Sequence, residues 1–382
     1  MKRRIAVTTG TRAEYGILRP ILKEIIKNEK LELYLIVCGM HFSKKHGMTV
    51  NEIKKDGFKI YSKVKMIPNG NEMYFMSKTL GDGIINFSKI FRKLKPDINL
   101  ILGDRDEPFA SAIAASHMNI PNAHISGGDK TKGGIDEYIR HAITKISNIH
   151  FATTEKSKSR IIKMGENPKY VFLTGNPGID EILQQKISSK IELEKKYKMK
   201  FSGGEILLLQ HPVTTEVELS NKQIENTLKA IIKLKKKTIA IAPNSDIGSK
   251  EIFDKLESYS KKYSFIKLYK NFPRADFLGM LNNCQVFVGN SSSGIVESTY
   301  FKIPTVNIGI RQQGRESGNN VIHVPNYSIK QIHKAIKTSL NTKKNSLKNS
   351  YIYGKGDSSK KIVDILEKIK IDKNLIQKQI FY

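Results

Sequence analysis

The sequence predicts an α/β protein made of two domains in tandem, each a parallel sheet covered by helices. Three observations carry this. Short apolar, β-rich segments alternate with helix-periodic stretches through residues 4–174, and the same rhythm restarts through residues 205–308. The 382 residues are more than one compact core accommodates. Several strand-like segments run into loops of glycine plus charged or hydroxyl side chains, the pattern expected where ligands meet the carboxyl ends of an open parallel sheet.

Residues 4–8 read as the first strand, and residues 15–27 as a helix whose face is Ile17, Leu18, Ile21, Leu22, Ile25 and Ile26. Residues 31–37 give the next strand. The alternation continues through 98–102, 111–116, 122–125, 139–146, 150–153 and 171–174. A Lys-rich stretch, 184–200, is the best linker. The second series runs through 205–209, 224–234, 238–242, 252–260, 265–269, 277–281, 286–288, 295–300 and 305–308. A last helix is expected over 358–370, capped by Asp357 or Ser358 after the Gly354-Lys355-Gly356 turn. Domain boundaries are therefore drawn at 1–185 and 186–357, with 358–382 packing back on the first domain.

The formal net charge of +29 invites a nucleic-acid reading. It is set aside because the lysines are dispersed along the chain and no basic-aromatic module is present. Cys38 and Cys284 lie far apart in apolar contexts and form no CxxC pair, so reduced, buried thiols and a cytoplasmic location are expected. The N-terminal apolar run, Ile5-Ala6-Val7, is too short for a signal peptide, and no window approaches the ~20 apolar residues of a membrane span.

The stretch 101–141 holds the densest reactive chemistry. One strand ends in Gly103-Asp104-Arg105-Asp106, the next in His124-Ile125-Ser126-Gly127-Gly128-Asp129, and Asp136, Glu137, Arg140 and His141 follow at helical spacing. Asp106 is weighed as a helix cap, and Arg140 as a mere partner of Glu137 or Asp136. In the second half, His211 follows a strand, where an imidazole binds phosphate or shuttles a proton. Ser291, Ser292, Ser293 and Gly294 form a hydroxyl-rich strand-to-helix turn suited to a diphosphate, with Glu297 placed for a ribose. Gly10 and Arg12 in the first loop suit an anion, although the GxGxxG spacing of a dinucleotide fold is missing. Arg311 and Arg315 add cations. His150, His323, Phe272 and Phe277 are read as structural, the two aromatics against the alternative of flanking a uracil.

The segments GTRAEYG, LGDRDE, HISGGDKTKGGIDEYIRHAITK, HPVTTE, PNSDIGS, GNSSSGIVES and GIRQQGRESG occur in this order over residues 4–320. Together they resemble the UDP-N-acetylglucosamine 2-epimerase family, specifically its hydrolysing branch. The resemblance implies the glycosyltransferase-B type architecture, two Rossmann-like domains around a cleft, with a terminal helix crossing back to the first. It implies proton removal at C2 with expulsion of UDP, then hydration of a 2-acetamidoglucal. It places Asp104, Asp129 and Asp136 at the sugar with Glu137, Arg140 and His124 beside them, and His211 among the catalytic set. Arg12, Arg105, Asn244, Ser291, Ser292, Ser293, Gly294, Glu297 and Arg311 fall at UDP. No metal or other cofactor is implied; a UDP-sugar is the expected partner, and the chain is expected to assemble as a homodimer or homotetramer.

One position departs from the family. Where much of the hydrolysing branch reads HIEGGE, this chain has Ser126, which has no carboxylate to act as base. Asp104, Asp129 or His124 then supplies the function, or the sugar differs. UDP-N-acetylglucosamine is the favoured substrate, with UDP-2,4-diacetamido-2,4,6-trideoxyglucose the alternative. A non-hydrolysing epimerase or a glycosyltransferase of the same architecture stands behind both.

Overall fold

The computed structural model describes residues 2–43, 47–67, 73–131, 135–184, 186–243, 246–347 and 351–382. The chain divides into two compact units. One comprises Met1–Asp129, Asp136–Gln184 and Gly354–Tyr382, the other Lys130–Ile135 and Gln185–Tyr353.

In the first unit the order is β1 (Arg3–Thr9), α1 (Arg12–Lys27), β2 (Leu31–Cys38), α2 (Val50–Lys55), β3 (Ile60–Val64), α3 (Met73–Leu94), β4 (Ile98–Leu102) and α4 (Asp106–Ser116). Then come β5 (Asn122–Ile125), α5 (Asp136–Lys145), β6 (Ile149–Ala152), α6 (Glu155–Lys163), β7 (Val171–Leu173) and α7 (Pro177–Gln184). The seven strands pair in the order β3-β2-β1-β4-β5-β6-β7, all parallel. Strand order reverses between β1 and β4, so the loops leaving these two strands diverge and open a crevice at their carboxyl ends.

Helix α1 forms because its start is capped twice over: Thr11 accepts from the Glu14 amide, and the Glu14 side chain returns to the Thr11 amide. Its apolar stripe, Leu18, Ile21, Leu22 and Ile25, is fully buried, at about 1.5–3 kcal/mol per side chain. The stretch 60–94, in which the sequence pattern marks no element, holds β3 and α3. The helix starting at Asp106 begins five positions before the expected 111, and the one expected at 139 begins at Asp136. Acids therefore occupy both first turns, where the helix dipole favours them.

The second unit begins with α8 (Lys190–Tyr197) and β8 (Ile206–Leu209), then α9 (Ser220–Ile232), β9 (Thr238–Ile241), α10 (Ser249–Lys262), β10 (Ile266–Tyr269) and α11 (Arg274–Asn283). It continues with β11 (Val286–Gly289), α12 (Val296–Tyr300), β12 (Thr305–Ile308), β13 (Val321–Val324) and α13 (Ile329–Asn341). Its sheet runs β10-β9-β8-β11-β12-β13, also all parallel and reversed between β8 and β11. The stretch read as a linker carries the change of unit at its start, between Gln184 and Gln185, and the rest of it is a folded part of the second unit. Ser189 and Glu192 build a capping box for α8, and Ser188, Lys196 and Tyr197 all bind Asp276 of α11, at 2.5, 2.6 and 2.5 Å. At Gly289, φ is 139° and an added Cβ would lie 1.9 Å from the Leu209 carbonyl oxygen. Only glycine lets β11 end against β8.

The chain closes with α14 (Ser358–Lys368) and α15 (Lys373–Ile376), which belong to the first unit. Arg3 donates to the Leu366 and Glu367 carbonyls. Asp357 precedes α14 but makes no capping bond. The cap comes instead from Asp180 of α7, whose carboxylate accepts from the Ser358 amide at 3.2 Å and the Ser359 amide at 2.5 Å. Asp180→Ala is accordingly expected to cost about 1–2 kcal/mol. Urea unfolding checks this as a lowered midpoint at unchanged slope.

Candidate functional site

In the first unit Asp104, Asp129 and Glu137 of the 101–141 stretch converge at the carboxyl ends of β4 and β5. Register pairs Ile101 with His124 and Leu102 with Ile125, so the loops after Leu102 and Ile125 leave side by side. Arg140, only 2 % exposed, ties them together. One terminal nitrogen meets the Asp104 carboxylate; the other reaches Glu137 at 2.9 Å and the Asp129 carbonyl at 3.2 Å. Burial opposes the charge on this guanidinium, but the carboxylates of Asp104, Asp129 and Glu137 outweigh it and hold the pKa above its ordinary value. Glu137 also meets His141 at 3.2 Å. Arg140 thus pairs with Glu137 as expected, and with Asp104 besides.

Side-chain exposure separates the three candidate bases. Asp104 keeps 24 % of its side chain exposed. Asp129 is 5 % exposed and spends one oxygen on the Thr153 and Ser157 hydroxyls, at 2.6 and 2.7 Å. His124 is fully buried, with Nε2 donating to the Gly103 carbonyl at 2.8 Å and Nδ1 3.2 Å from Thr144 Oγ1. Burial, only partly offset by that carbonyl, lowers its pKa to about 3. The structure departs here from the expectation for His124: the ring is buried, with both nitrogens engaged inside the protein, where it orients the Gly103 turn. Ser126 has φ of 65°, a left-handed conformation that costs a non-glycine residue roughly 1–2 kcal/mol. The turn is held there by the Ser126 amide on the Phe151 carbonyl at 3.1 Å and by Arg160 on the Gly128 carbonyl.

Asp106 does not cap α4; it is the first helical residue after Arg105, and no side-chain cap bond is made there. Arg12 opens α1 and Arg105 ends the loop before α4, both beside the β1–β4 reversal. Arg12 pairs with Glu52 at 3.1 Å, and Arg105 Nε lies 3.5 Å from Glu107.

In the second unit the predicted groups gather at the ends of β8, β11 and β12. Asn290, fully buried, joins them: its side chain accepts from the His211 amide at 2.7 Å and donates to the His211 carbonyl at 2.9 Å. Its own carbonyl accepts from Arg311 and Gln312, both at 3.2 Å. The serine turn differs from expectation. Amides of Ser293, Gly294 and Ile295 bond within it, to Ser291 Oγ and to the Ser291 and Ser292 carbonyls. The helix behind it, α12, spans only five residues. Hydroxyls and Arg311, more than helix-end amides, are what this turn offers an anion. Glu297 accepts from Arg274 at 2.9 Å. Phe272 is core, packed against Tyr197 and Tyr269 with ring centroids 4.9 and 4.8 Å apart, and Phe277 packs partly buried against the same cluster. His150 pairs with Glu166 at 3.0 Å in the interior. His323 contacts Asn307 and Ser317 at 3.1 and 2.9 Å. Asn244 lies outside the described residues.

Among the described residues no group of three or more His, Cys, Asp or Glu is placed to hold a metal ion, and no helix is long and apolar enough to cross a membrane. Cys38 and Cys284 are free and buried.

The sequence pattern of the UDP-N-acetylglucosamine 2-epimerase family matches residues 23–367. The chain belongs to that family. It is 37% identical over 378 residues to the UDP-N,N'-diacetylbacillosamine 2-epimerase (hydrolyzing) of Legionella pneumophila, covering 99% of both chains. It is 36% identical to the GDP/UDP-N,N'-diacetylbacillosamine 2-epimerase (hydrolyzing) of Campylobacter jejuni, covering 84% of each. It falls with them in the hydrolysing branch, as a UDP-sugar 2-epimerase. In fold it is similar to the Neisseria meningitidis UDP-GlcNAc 2-epimerase bound to UDP-GlcNAc, with a TM-score of 0.81 at 20% identity over 96% of this chain and 100% of that one. Two Rossmann-like, parallel-sheet units of the glycosyltransferase-B type are therefore its architecture.

Asn290, Arg274 and Glu107 join these groups without a signal in the sequence that singles them out. Asn290 stands inside the GNSSSG turn, but only the fold shows that it faces His211. Arg274 follows a proline at a helix start, with no local signal linking it to Glu297.

Proposed function

We propose that this protein hydrolyses UDP-N,N'-diacetylbacillosamine, that is UDP-2,4-diacetamido-2,4,6-trideoxyglucose, to the free 2-epimerised sugar and UDP. What supports the substrate is the match to the Legionella enzyme over the whole of both chains. UDP-N-acetylglucosamine, favoured from the residues alone, becomes the second reading, supported by a 34% identical UDP-N-acetylglucosamine 2-epimerase of Neisseria meningitidis.

The chemistry divides as follows. A carboxylate removes the C2 proton, the C1–O bond to UDP breaks, and a 2-acetamidoglucal forms. Water then adds at C1 and a proton returns to C2 on the opposite face. Asp104, exposed enough to meet a sugar and fixed by Arg140, serves with Asp136 at this centre; Asp129 and Glu137 hold the wall around them. Arg12, Arg105, His211, Ser291, Ser292, Ser293, Gly294, Glu297 and Arg311 serve the UDP moiety, cations and donors stabilising the departing diphosphate. With Ser126 in place of a carboxylate, the sugar-facing turn is small and uncharged, which suits a bulkier 4-acetamido sugar.

Incubation with each sugar nucleotide in deuterated water, followed by proton NMR, tests this. Expected are free UDP and a free manno-configured sugar carrying deuterium at C2, faster from the diacetamido substrate. A UDP-linked epimer accumulating without free UDP would overturn the hydrolytic reading; faster turnover of UDP-N-acetylglucosamine would overturn the substrate.

A further inference from the structure

Two buried carboxyl groups flank Gly10, at the β1–β4 reversal, and the reaction above uses neither. Glu14 is 9% and Glu107 5% exposed. Glu14 Oε2 accepts from the Gly10 amide at 2.8 Å and the Thr11 amide at 3.0 Å. Glu107 lies across the same glycine: a Cβ added to Gly10 would meet its Cδ at 2.6 Å, and one added to Gly39 would meet its Oε1 at 2.2 Å. Both glycines are needed for this carboxyl to reach its place. Glu14 Oε1 is buried with no hydrogen-bond partner among the described residues, and Glu107 Oε2, also without a hydrogen bond, has the Arg105 Nε 3.5 Å away. With both carboxyl groups on the same glycine, the unpartnered Glu14 oxygen is satisfied as soon as it carries a proton, because a protonated carboxyl donates.

We propose that Glu14 and Glu107 form a carboxylic acid–carboxylate pair sharing one proton across the Gly10 turn, and that this pair clamps the end of β1 to the start of α4, positioning Arg12 and Arg105 for an anionic substrate. The positioning role rests on the UDP-sugar reading; the shared proton does not. Two adjacent anions in a water-poor site repel, so one retains its proton. Burial first, then the neighbouring Glu107, raises the Glu14 pKa to about 8, against the lowering pull of Arg105 and the two amides. Four other groups face the pair. The Cys38 thiol donates to the Thr9 carbonyl at 3.3 Å and is pushed well up by burial and both acids. His41, bound to Thr9 and Thr49, is lowered to about 4 by burial. Asp106 is raised by burial and by Glu107, and Arg105 remains the cation beside Glu107.

The test labels glutamate with ¹³C at Cδ in the full chain and follows the carboxyl resonances against pH. Expected is one resonance titrating near pH 8, absent from Glu14→Gln, whose midpoint falls by about one unit or more in Glu107→Gln as the like charge is removed. A Glu14 resonance already that of a carboxylate at pH 6, or a midpoint indifferent to Glu107→Gln, overturns the shared proton. For positioning, kcat/KM of the wild type should decline above pH about 8, through a rising KM, by up to about tenfold per unit. Glu14→Gln, which keeps a donor at the same place, should lose that limb while Glu14→Ala shows a raised KM at every pH. An alkaline limb unchanged in Glu14→Gln overturns the positioning role. No turnover of either sugar nucleotide by the wild type would overturn the functional reading instead, leaving the NMR result to stand by itself.

Discussion

Replacing Arg140 by methionine is expected to lower stability by about 3 kcal/mol and to abolish turnover. Methionine has similar length and no charge, so the packing is largely kept and the change isolates the guanidinium. What it leaves behind is the cost: Asp104 and Glu137 lose their common cation, and the Asp129 carbonyl loses a donor. Removing one partner of a buried pair costs about 3–5 kcal/mol, because the survivor stays unpaired in a poor solvent. Here the carboxylates retain 24% and 25% side-chain exposure, and water relieves part of the penalty, which sets the lower end of that range. Arg140→Lys is expected to fall between, since an ammonium cannot fork to both carboxylates. The measurement is urea unfolding, with Asp104→Asn and the double variant completing a cycle. A coupling near zero, or Arg140→Met within ~0.5 kcal/mol of wild type, would show that the fork holds nothing.

That fork marks the limit of what is legible in the chain alone. The acids at the ends of residues 98–102 and 122–125 are legible because strand-like runs stop at glycine and charge. The partner of Asp104 is not, since Arg140 lies 36 positions away and meets it only once β4 and β5 pair and α5 folds back. His124 misleads for a related reason. Its position at a strand end is visible in sequence, but the Gly103 carbonyl and Thr144 that occupy its nitrogens come from neighbouring elements. Ser126 stands out in sequence as a departure, yet its positive φ follows from the turn's anchors at Phe151 and Arg160. In the fold, the 3.6-residue stripe of α1 announces itself. Helix α8 does not, because its lysines hide a weakly amphipathic helix that is held by a capping box and by Asp276.

Asp104→Asn and Asp136→Asn are each expected to reduce kcat by about 10²–10⁴, the span of one acid–base residue, while UDP affinity stays within about threefold. Both substitutions preserve shape. In Asp104→Asn the new side-chain amide oxygen would still accept from Arg140, so the contact is kept while the basicity and the negative charge are withdrawn. Asp136 is the first residue of α5, where asparagine is well tolerated and the backbone amides of the first turn favour a carboxylate. Calorimetry with UDP and initial rates with the sugar nucleotide check the two halves of the expectation. Weakened UDP binding with an undiminished kcat would move the residue to the diphosphate. The roles separate further when the 2-acetamidoglucal is supplied directly. A variant that hydrates the glucal at the wild-type rate but cannot form it has lost the base for C2, whereas one that accumulates the glucal from the sugar nucleotide has lost the group that returns a proton or orients water. Two carboxylates in different surroundings can divide these steps because each environment sets a different proton affinity. Asp104, held by a buried guanidinium, is the carboxylate assigned to the C2 proton, and Asp104→Asn is therefore expected to fail at glucal formation.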